Sequence, residues 1–170
     1  MAKAIALLSG GLDSILATRL IKDQGIEIEA VNFLTIFCNC TSRGKTCLAS
    51  TSAAASLGVG LKVFEVTKEY INIVKAPKHG YGRNLNPCLD CRIFIFKKAG
   101  EYMRWSGASF IVTGEVLGER PMSQRMDAMR IIEEESGLTG LIVRPLCAKL
   151  MEPTIPEKEG LVDREKLLGI

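Results

Sequence analysis

The sequence lacks an apolar run long enough to cross a membrane. Its first residues also lack the charged region and the small-residue cleavage site of a secretory signal peptide. We therefore expect a cytoplasmic protein without a membrane partner, whose thiols stay reduced. In that compartment the six cysteines indicate metal or redox chemistry rather than disulfide bonds.

Net charge and histidine are also scarce. The formal net charge is +3, which by itself does not indicate a protein that binds nucleic acid. The charge is unevenly placed, however, because residues 75–104 contain seven basic side chains and two acidic ones. This segment is either a footprint for RNA phosphates or an ordinary solvated helix face. The lone histidine, His79, is predicted to be a surface or hinge residue rather than a metal ligand.

The remaining composition, 47% hydrophobic and 24% charged, is that of a globular protein, and 170 residues suit a single domain. Short apolar segments alternate with helical patterns along the chain. Such alternation predicts an α/β fold with a mostly parallel sheet covered on both faces. The predicted strands are 4–8, 27–33, 61–66, 109–113 and 141–143. The predicted helices begin near residues 12, 47, 67 and 88 and at Ser123, with a short helical patch over 163–168.

The segment Leu7–Ser14, with the letters LLSGGLDS, joins the first strand to the first helix. A strand, a glycine turn and a helix direct free backbone N–H groups at an anion. Gly10 and Gly11 allow a close approach of phosphate, and Asp13 offers a carboxylate to Mg²⁺. The segment lacks the lysine of the Walker loop and the third glycine of the dinucleotide-binding motif.

SGGLDS resembles the SGGxDS signature of the PP-loop ATP pyrophosphatases, which split ATP into AMP and pyrophosphate. The resemblance implies a Rossmann-like three-layer sandwich with a five-stranded parallel sheet of order 3-2-1-4-5, formed by one PP-loop domain over residues 1–170. It also implies that the adenine lies near the first two strands and that Thr113-Gly114 lines the nucleotide site. Together with Arg120 and Ser123, which the residue types suggest as phosphate contacts, the predicted ATP-binding residues are Leu8, Ser9, Gly10, Gly11, Leu12, Asp13, Ser14, Asn32, Phe33, Thr113, Gly114, Arg120 and Ser123.

The segment Asn86-Pro87-Cys88-Leu89-Asp90-Cys91 opens the long fourth helix. Cys88 and Cys91 share one face of the first turn, where the helix N-terminus and Arg92 are expected to lower a thiol pKa. Asn86, Pro87 and Cys91 resemble the Asn-Pro-x-x-x-Cys motif of the tRNA 2-thiouridine synthetases, in which the cysteine handles persulfide sulfur. Other tRNA thiolases hold a 4Fe-4S cluster on a CxxC pair and a third cysteine, which Cys88, Cys91 and Cys147 would match. Persulfide and cluster remain alternatives.

A second group of thiols, Cys38, Cys40 and Cys47, follows the second strand. Cysteines this close can converge on one metal ion, for example Zn²⁺, although a structural zinc site needs a fourth ligand. Cys88, Cys91 or His79 would be candidates for that position. The run Glu133–Glu135 is expected to be a solvated helix end.

These patterns favour an ATP-dependent sulfur transferase that adenylates a tRNA uridine and replaces its carbonyl oxygen with sulfur. The predicted catalytic residues are Cys91, Cys88 and Asp13, with ATP and Mg²⁺ as cofactors. The expected partners are tRNA, a sulfur donor protein or sulfide, and an RNA-binding partner domain or a second copy in a homo-oligomer. The alternatives are an adenylating amidotransferase or ligase on a small substrate, and a nucleotide- or metal-binding module that needs a partner.

Overall fold

The computed structural model describes residues 2–37, 47–82 and 85–170, and strands alternate with helices through most of them. The strands are β1 (Lys3–Leu7), β2 (Glu27–Leu34), β3 (Gly60–Glu65), β4 (Phe110–Val112) and β5 (Ile142–Val143). The helices are α1 (Leu12–Lys22), α2 (Leu48–Leu57), α3 (Thr67–Lys75), α4 (Cys88–Ser106), α5 (Met126–Ser136) and α6 (Ile155–Lys158). Two short 3₁₀ turns, Ala148–Leu150 and Arg164–Lys166, lie in the last part of the chain.

The five strands form one sheet of order β3-β2-β1-β4-β5, and every pairing is parallel. The central strand β1 is buried on both faces, which explains why Ala4, Ile5 and Ala6 form an uninterrupted apolar run. Alternate strand residues face opposite layers: Ala4 and Ala6 pack with α1, whereas Ile5 packs with α4 and α5. The predicted three-layer α/β sandwich of strand order 3-2-1-4-5 is therefore confirmed.

Two element boundaries differ from the prediction. Ser123 does not cap the fifth helix, because α5 begins at Met126 and its first backbone bond runs from Met129 N to Arg125 O (2.9 Å). The predicted helical patch over 163–168 is only a 3₁₀ turn. The short helix α6 was not predicted, although Thr154 and Glu157 form a capping box at its start.

The loop between β1 and α1 depends on a close backbone approach. Gly10 has φ +88°, and a Cβ at this position would lie 2.6 Å from the carbonyl carbon of Ala49 in α2. Glycine is the residue that tolerates both a positive φ and so close a backbone contact. The first turn of α2 therefore packs directly on the glycine turn.

None of the helices in the described ranges has the length and apolar character that a bilayer crossing requires.

We expect Gly10→Ala to reduce the free energy of unfolding by about 1–3 kcal/mol, because the methyl group would meet Ala49 at a positive φ. Urea unfolding measures this change. Gly60→Ala is the matched control, since no atom lies within 4 Å of the Cβ position and its φ needs no glycine. Equal stabilities of the two variants would contradict the close approach.

Candidate functional site

A cleft of about 370 Å³ lies at the carboxyl edge of the sheet, where the segments that follow β1, β2 and β4 meet. The carboxyl ends of parallel strands are the usual place for ligands in such sheets. Leu12 and Gly10 belong to the same loop but do not line the cleft, and Leu12 is 69% exposed. Of the predicted nucleotide-site residues, those that line it are Leu8, Ser9, Gly11, Asp13, Ser14, Asn32, Phe33, Thr113, Gly114 and Arg120.

Hydroxyl groups hold the glycine loop in shape. Ser14 Oγ donates to Gly11 O (2.8 Å), Ser9 Oγ lies 3.2 Å from Ser14 Oγ, and Gly11 N donates to Ser9 Oγ (3.3 Å). The helix α1 starts immediately afterwards, so its first-turn N–H groups have no partners within the helix. The loop and helix therefore present donors at an electropositive end, which suits an anion.

Gly114 brings the end of β4 against the same helix start. A Cβ on Gly114 would lie 2.5 Å from the backbone of Asp13 and of Ser14, so a side chain at this position would push the helix away. The predicted Thr113-Gly114 pair thus has a steric reason for its glycine. This contact closes the cleft beneath the loop.

The β2 side of the cleft is mostly apolar, with Val31 and Phe33 in its wall. Asn32 Nδ2 donates to Leu8 O (2.7 Å) and ties this wall to the glycine loop. Asn32 Oδ1 is buried and has no hydrogen-bond partner among the described residues. An unused buried acceptor at this edge of the sheet suits a ligand that carries an N–H group.

Cys91 also lines the cleft, from the first turn of α4, whereas Cys88 is half-buried and does not line it. The expected lowering of the thiol pKa is wrong for Cys91. Burial raises the pKa of the Cys91 thiol, and a hydrogen bond with Tyr70 and the charge of Arg92 only partly oppose that effect. Desolvation of the partly buried thiol therefore outweighs the neighbours that favour the thiolate.

The predicted metal groups are not assembled within the described residues, where no three His, Cys, Asp or Glu side chains lie close enough to hold a metal ion. Cys147 is fully buried, with Sγ 3.5 Å from Glu115 O and 3.9 Å from Met151 Sδ. It does not join Cys88 and Cys91, so these three thiols do not fit a 4Fe-4S cluster in this arrangement. Cys38 and Cys40 lie outside the described residues, and Cys47 is buried at the start of α2.

An ion-pair network that borders the cleft, with Arg92 and Glu115 among the lining residues, was not predicted. Glu115, 1% exposed, accepts from Arg92 Nε (2.9 Å) and from Arg144 Nε (3.0 Å), and Arg144 also pairs with Glu133. Burial alone would raise the pKa of Glu115, but Arg92 and Arg144 hold it below its usual range. Glu133 is therefore an ion-pair partner rather than part of a solvated helix end. Only the position of Glu115 next to Thr113-Gly114 could have drawn attention to it.

The loop after Gly114 contributes Glu119, Arg120 and Gln124 to the cleft. Gln124 is 3% exposed, and its Oε1 has no partner among the described residues. Ser123 is buried without lining the cleft, and Arg125 pairs with Asp127 on the surface (3.2 Å). Arg120 therefore lies where it could contact a phosphate in the cleft, as predicted, whereas Ser123 does not. The sequence analysis did not identify Gln124 as a residue of the cleft.

The basic segment over residues 75–104 is partly neutralised. Lys78 and His79 both contact Glu135, at 2.8 and 2.9 Å, and Lys98 lies 2.7 Å from Glu69. Glu135, like Glu133, is therefore not simply solvated. These contacts reduce the positive charge available to RNA phosphates on this face.

Two comparisons of sequence give a consistent result. The family model described as the thiamine biosynthesis protein ThiI matches residues 1–154. A probable tRNA sulfurtransferase of Thermococcus kodakarensis is 28% identical over 176 residues, which cover 98% of this chain and 41% of that protein. The tRNA-specific 2-thiouridylase MnmA of Petrotoga mobilis is 28% identical over 132 residues. That match covers 68% of this chain and 35% of the Petrotoga protein. The chain spans less than half the length of these curated relatives.

A solved structure of a 4-thiouridine synthetase in complex with RNA and bound ATP has a similar fold. The TM-score is 0.62 at 24% sequence identity, and the match covers 85% of this chain and 36% of that one. The match supports the Rossmann-like α/β architecture.

We expect Glu115→Gln to reduce the free energy of unfolding by about 3–5 kcal/mol, because the buried Arg144 guanidinium would lose a charged partner. The pKa of the Glu115 carboxyl is lower in the folded chain than its ordinary value of 4.5. The ionised carboxylate therefore stabilises the folded chain above that ordinary value. This stabilisation is lost as the pH falls through the lower, folded-state pKa. Stability of the variant should therefore depend less on pH in acid than that of the parent. Urea unfolding from neutral to acidic pH measures both effects. Glu134→Gln, at an exposed position of α5, is the control and should change stability by about 0.5 kcal/mol or less.

Proposed function

This chain belongs to the ThiI family, and from that premise we propose that it is an ATP-dependent sulfur transferase that thiolates a uridine of tRNA. The observation that carries the proposal is that Cys91 and the loop Ser9–Ser14 line one cleft. A phosphate-binding loop supplies activation, and a thiol in the same cleft supplies a carrier for sulfur.

We propose that ATP binds with its phosphates at the N-terminus of α1. Support comes from the N–H groups of the first helical turn, the hydroxyl groups of Ser9 and Ser14, and Arg120, which lines the same cleft. The adenine would lie against Phe33 and Val31, where the unpartnered Asn32 Oδ1 is a suitable acceptor for an N–H of the base. Gln124 Oε1 is a second buried acceptor for a ligand donor.

Asp13 is the proposed ligand for Mg²⁺, because its carboxylate lines the cleft beside the loop that would bind the phosphates. The metal would supply positive charge to the departing pyrophosphate. Arg120 would add to that charge, and the oriented N–H groups of the loop would do so without reorganisation.

In the proposed reaction, the uridine carbonyl oxygen attacks the α-phosphorus of ATP, and pyrophosphate leaves. The terminal sulfur of a Cys91 persulfide attacks the activated carbon, and AMP leaves with the original oxygen. Cys88 then attacks Cys91 Sγ, which releases the thiouridine and leaves a Cys88–Cys91 disulfide. A thiol reductant reopens this disulfide before a donor protein persulfide reloads Cys91; alternatively, sulfide opens the disulfide and regenerates the persulfide.

We also propose that residues 1–170 act as one PP-loop ATP-binding domain and that RNA binding comes from a partner domain or a second copy. Support comes from the partly neutralised basic segment, whose Lys98 and Lys78 pair with Glu69 and Glu135 from outside it. Such a face offers less net positive charge to an RNA backbone than the sequence alone indicates.

We expect Asp13→Asn to lower pyrophosphate release about 100-fold in the presence of ATP, Mg²⁺ and unmodified tRNA, because the proposed metal ligand is lost. Binding of ATP with Mg²⁺, measured by calorimetry, should weaken in parallel. Asp23→Asn is the control for loss of one carboxylate, since Asp23 pairs with Arg19 on the exposed face of α1. Unchanged release and binding in Asp13→Asn would exclude the assigned role.

We expect Cys91→Ser to retain pyrophosphate release but to lose thiouridine formation, because the variant can activate the uridine and cannot carry sulfur. Mass spectrometry of tRNA nucleosides measures the product. Cys147→Ala is the control and should still form thiouridine. Full turnover by a variant lacking both Cys88 and Cys91 would instead favour an amidotransferase or ligase, and no pyrophosphate release from the parent protein would favour a binding module.

A further inference from the structure

A second cavity, of about 360 Å³, lies along the edge of the sheet formed by β3 and beneath α4. Its wall contains four aromatic side chains, Phe33, Phe64, Tyr102 and Trp105. Phe33 also lines the cleft described above, so the two cavities share one wall residue. The proposed sulfur transfer makes no use of the second cavity.

The four rings form a continuous series from the cleft to the surface. Phe33 stacks on Phe64 at 5.5 Å between centroids, Phe64 meets the edge of Tyr102 at 5.1 Å, and Tyr102 stacks on Trp105 at 5.5 Å. Tyr102 is held in place because its hydroxyl donates to Glu29 Oε1 (2.6 Å). Partial burial and this hydrogen bond raise the pKa of Tyr102 to about 12, so the hydroxyl stays protonated at neutral pH.

Trp105 is the only tryptophan in the sequence, and it is 79% exposed at the outer end of the series. Tryptophan is highly buried on average, and it is enriched among the residues that contribute most to binding at protein interfaces. One of its faces is already occupied by Tyr102, which fixes the orientation of the indole. The exposed ring area is therefore ordered before any ligand arrives.

The charge around the rings is negative. Among the residues that the structure describes, Glu65, Glu69 and Glu101 line the cavity together with one ammonium group, that of Lys98. Lys98 already lies 2.7 Å from Glu69 and 3.7 Å from Glu101, so the carboxylates are arranged around a cation. The side chains of Glu69 and Glu101 are still 53% and 62% exposed, so they can also contact a second cation. A phosphate would be repelled from this surface.

We propose that this cavity binds an arginine side chain presented by a partner protein. A planar guanidinium group stacks on indole and phenol rings and donates in a fork to carboxylates, which matches Trp105, Tyr102 and Glu101. The compact ammonium of lysine stacks less well, and a nucleotide would bring its phosphate against the glutamates. Because Phe33 is shared, a partner docked here would lie beside the nucleotide cleft. The proposal does not rest on the sulfur transferase function.

Trp105 provides the test, because all tryptophan fluorescence comes from this one ring. N-acetyl-arginine amide, which mimics an arginine within a protein, should change the emission in a saturable manner. N-acetyl-citrulline amide has nearly the same shape without the charge and should bind about 10-fold more weakly or not at all.

The variant with both Glu69→Gln and Glu101→Gln should weaken the arginine probe by about fivefold or more. Glu152→Gln removes one negative charge outside both cavities and should leave the affinity unchanged. Trp105→Ala, followed by calorimetry instead of fluorescence, should lose binding. Thermal unfolding of each variant verifies that the fold persists.

Three results would overturn the proposal. Equal affinities for the arginine and citrulline probes would show that the positive charge of the guanidinium group does not contribute to binding. Saturable binding of AMP at Trp105, without an effect of arginine, would make the surface a platform for nucleobases. Tighter binding of free arginine than of the blocked form would indicate a small-molecule ligand instead of a protein partner.

Discussion

The start of α1 is held between two backbones that approach it more closely than any side chain allows. Gly10 packs against Ala49 of α2, and Gly114 packs against the backbone of Asp13 and Ser14. The rest of the cleft depends on this constraint, because it places the helix N-terminus at the junction of the β1 and β4 loops. A side chain at either glycine would displace the backbone donors to which the proposed anion binding is assigned.

The cleft also depends on a network of ion pairs beside the β4 loop. Glu115 and Glu133 carry two negative charges, and Arg92 and Arg144 carry two positive ones, in a network that is largely removed from water. Such a network contributes less to stability than its number of contacts suggests, because each ion loses hydration. Its geometric effect is clearer: it links the β4 loop to the residue next to Cys91. The network thus connects the loop after β4, which packs on the glycine turn, with the helix that carries Cys91.

Phe33 lines both of the cavities described above. On one side it lines the cleft with Cys91 and the glycine loop, and on the other it begins the aromatic series that ends at Trp105. The two cavities differ in chemistry, because the first offers backbone donors to an anion and the second offers ring faces and carboxylates to a cation. The carboxyl end of a single strand, β2, therefore borders both proposed sites, one for an anion and one for a cation.

The sequence by itself determined the fold class, the strand order through its family resemblance, and the residues of the glycine loop, since local periodicity and short motifs carry that information. It did not determine burial or long-range pairing. Only the tertiary structure showed that Glu115 and Glu133 meet the same arginine, that Cys147 lies apart from Cys88 and Cys91, and that burial raises the pKa of Cys91. The physical reason is common to all three: solvation and charge pairing depend on groups brought together from distant parts of the chain, and no local pattern records them.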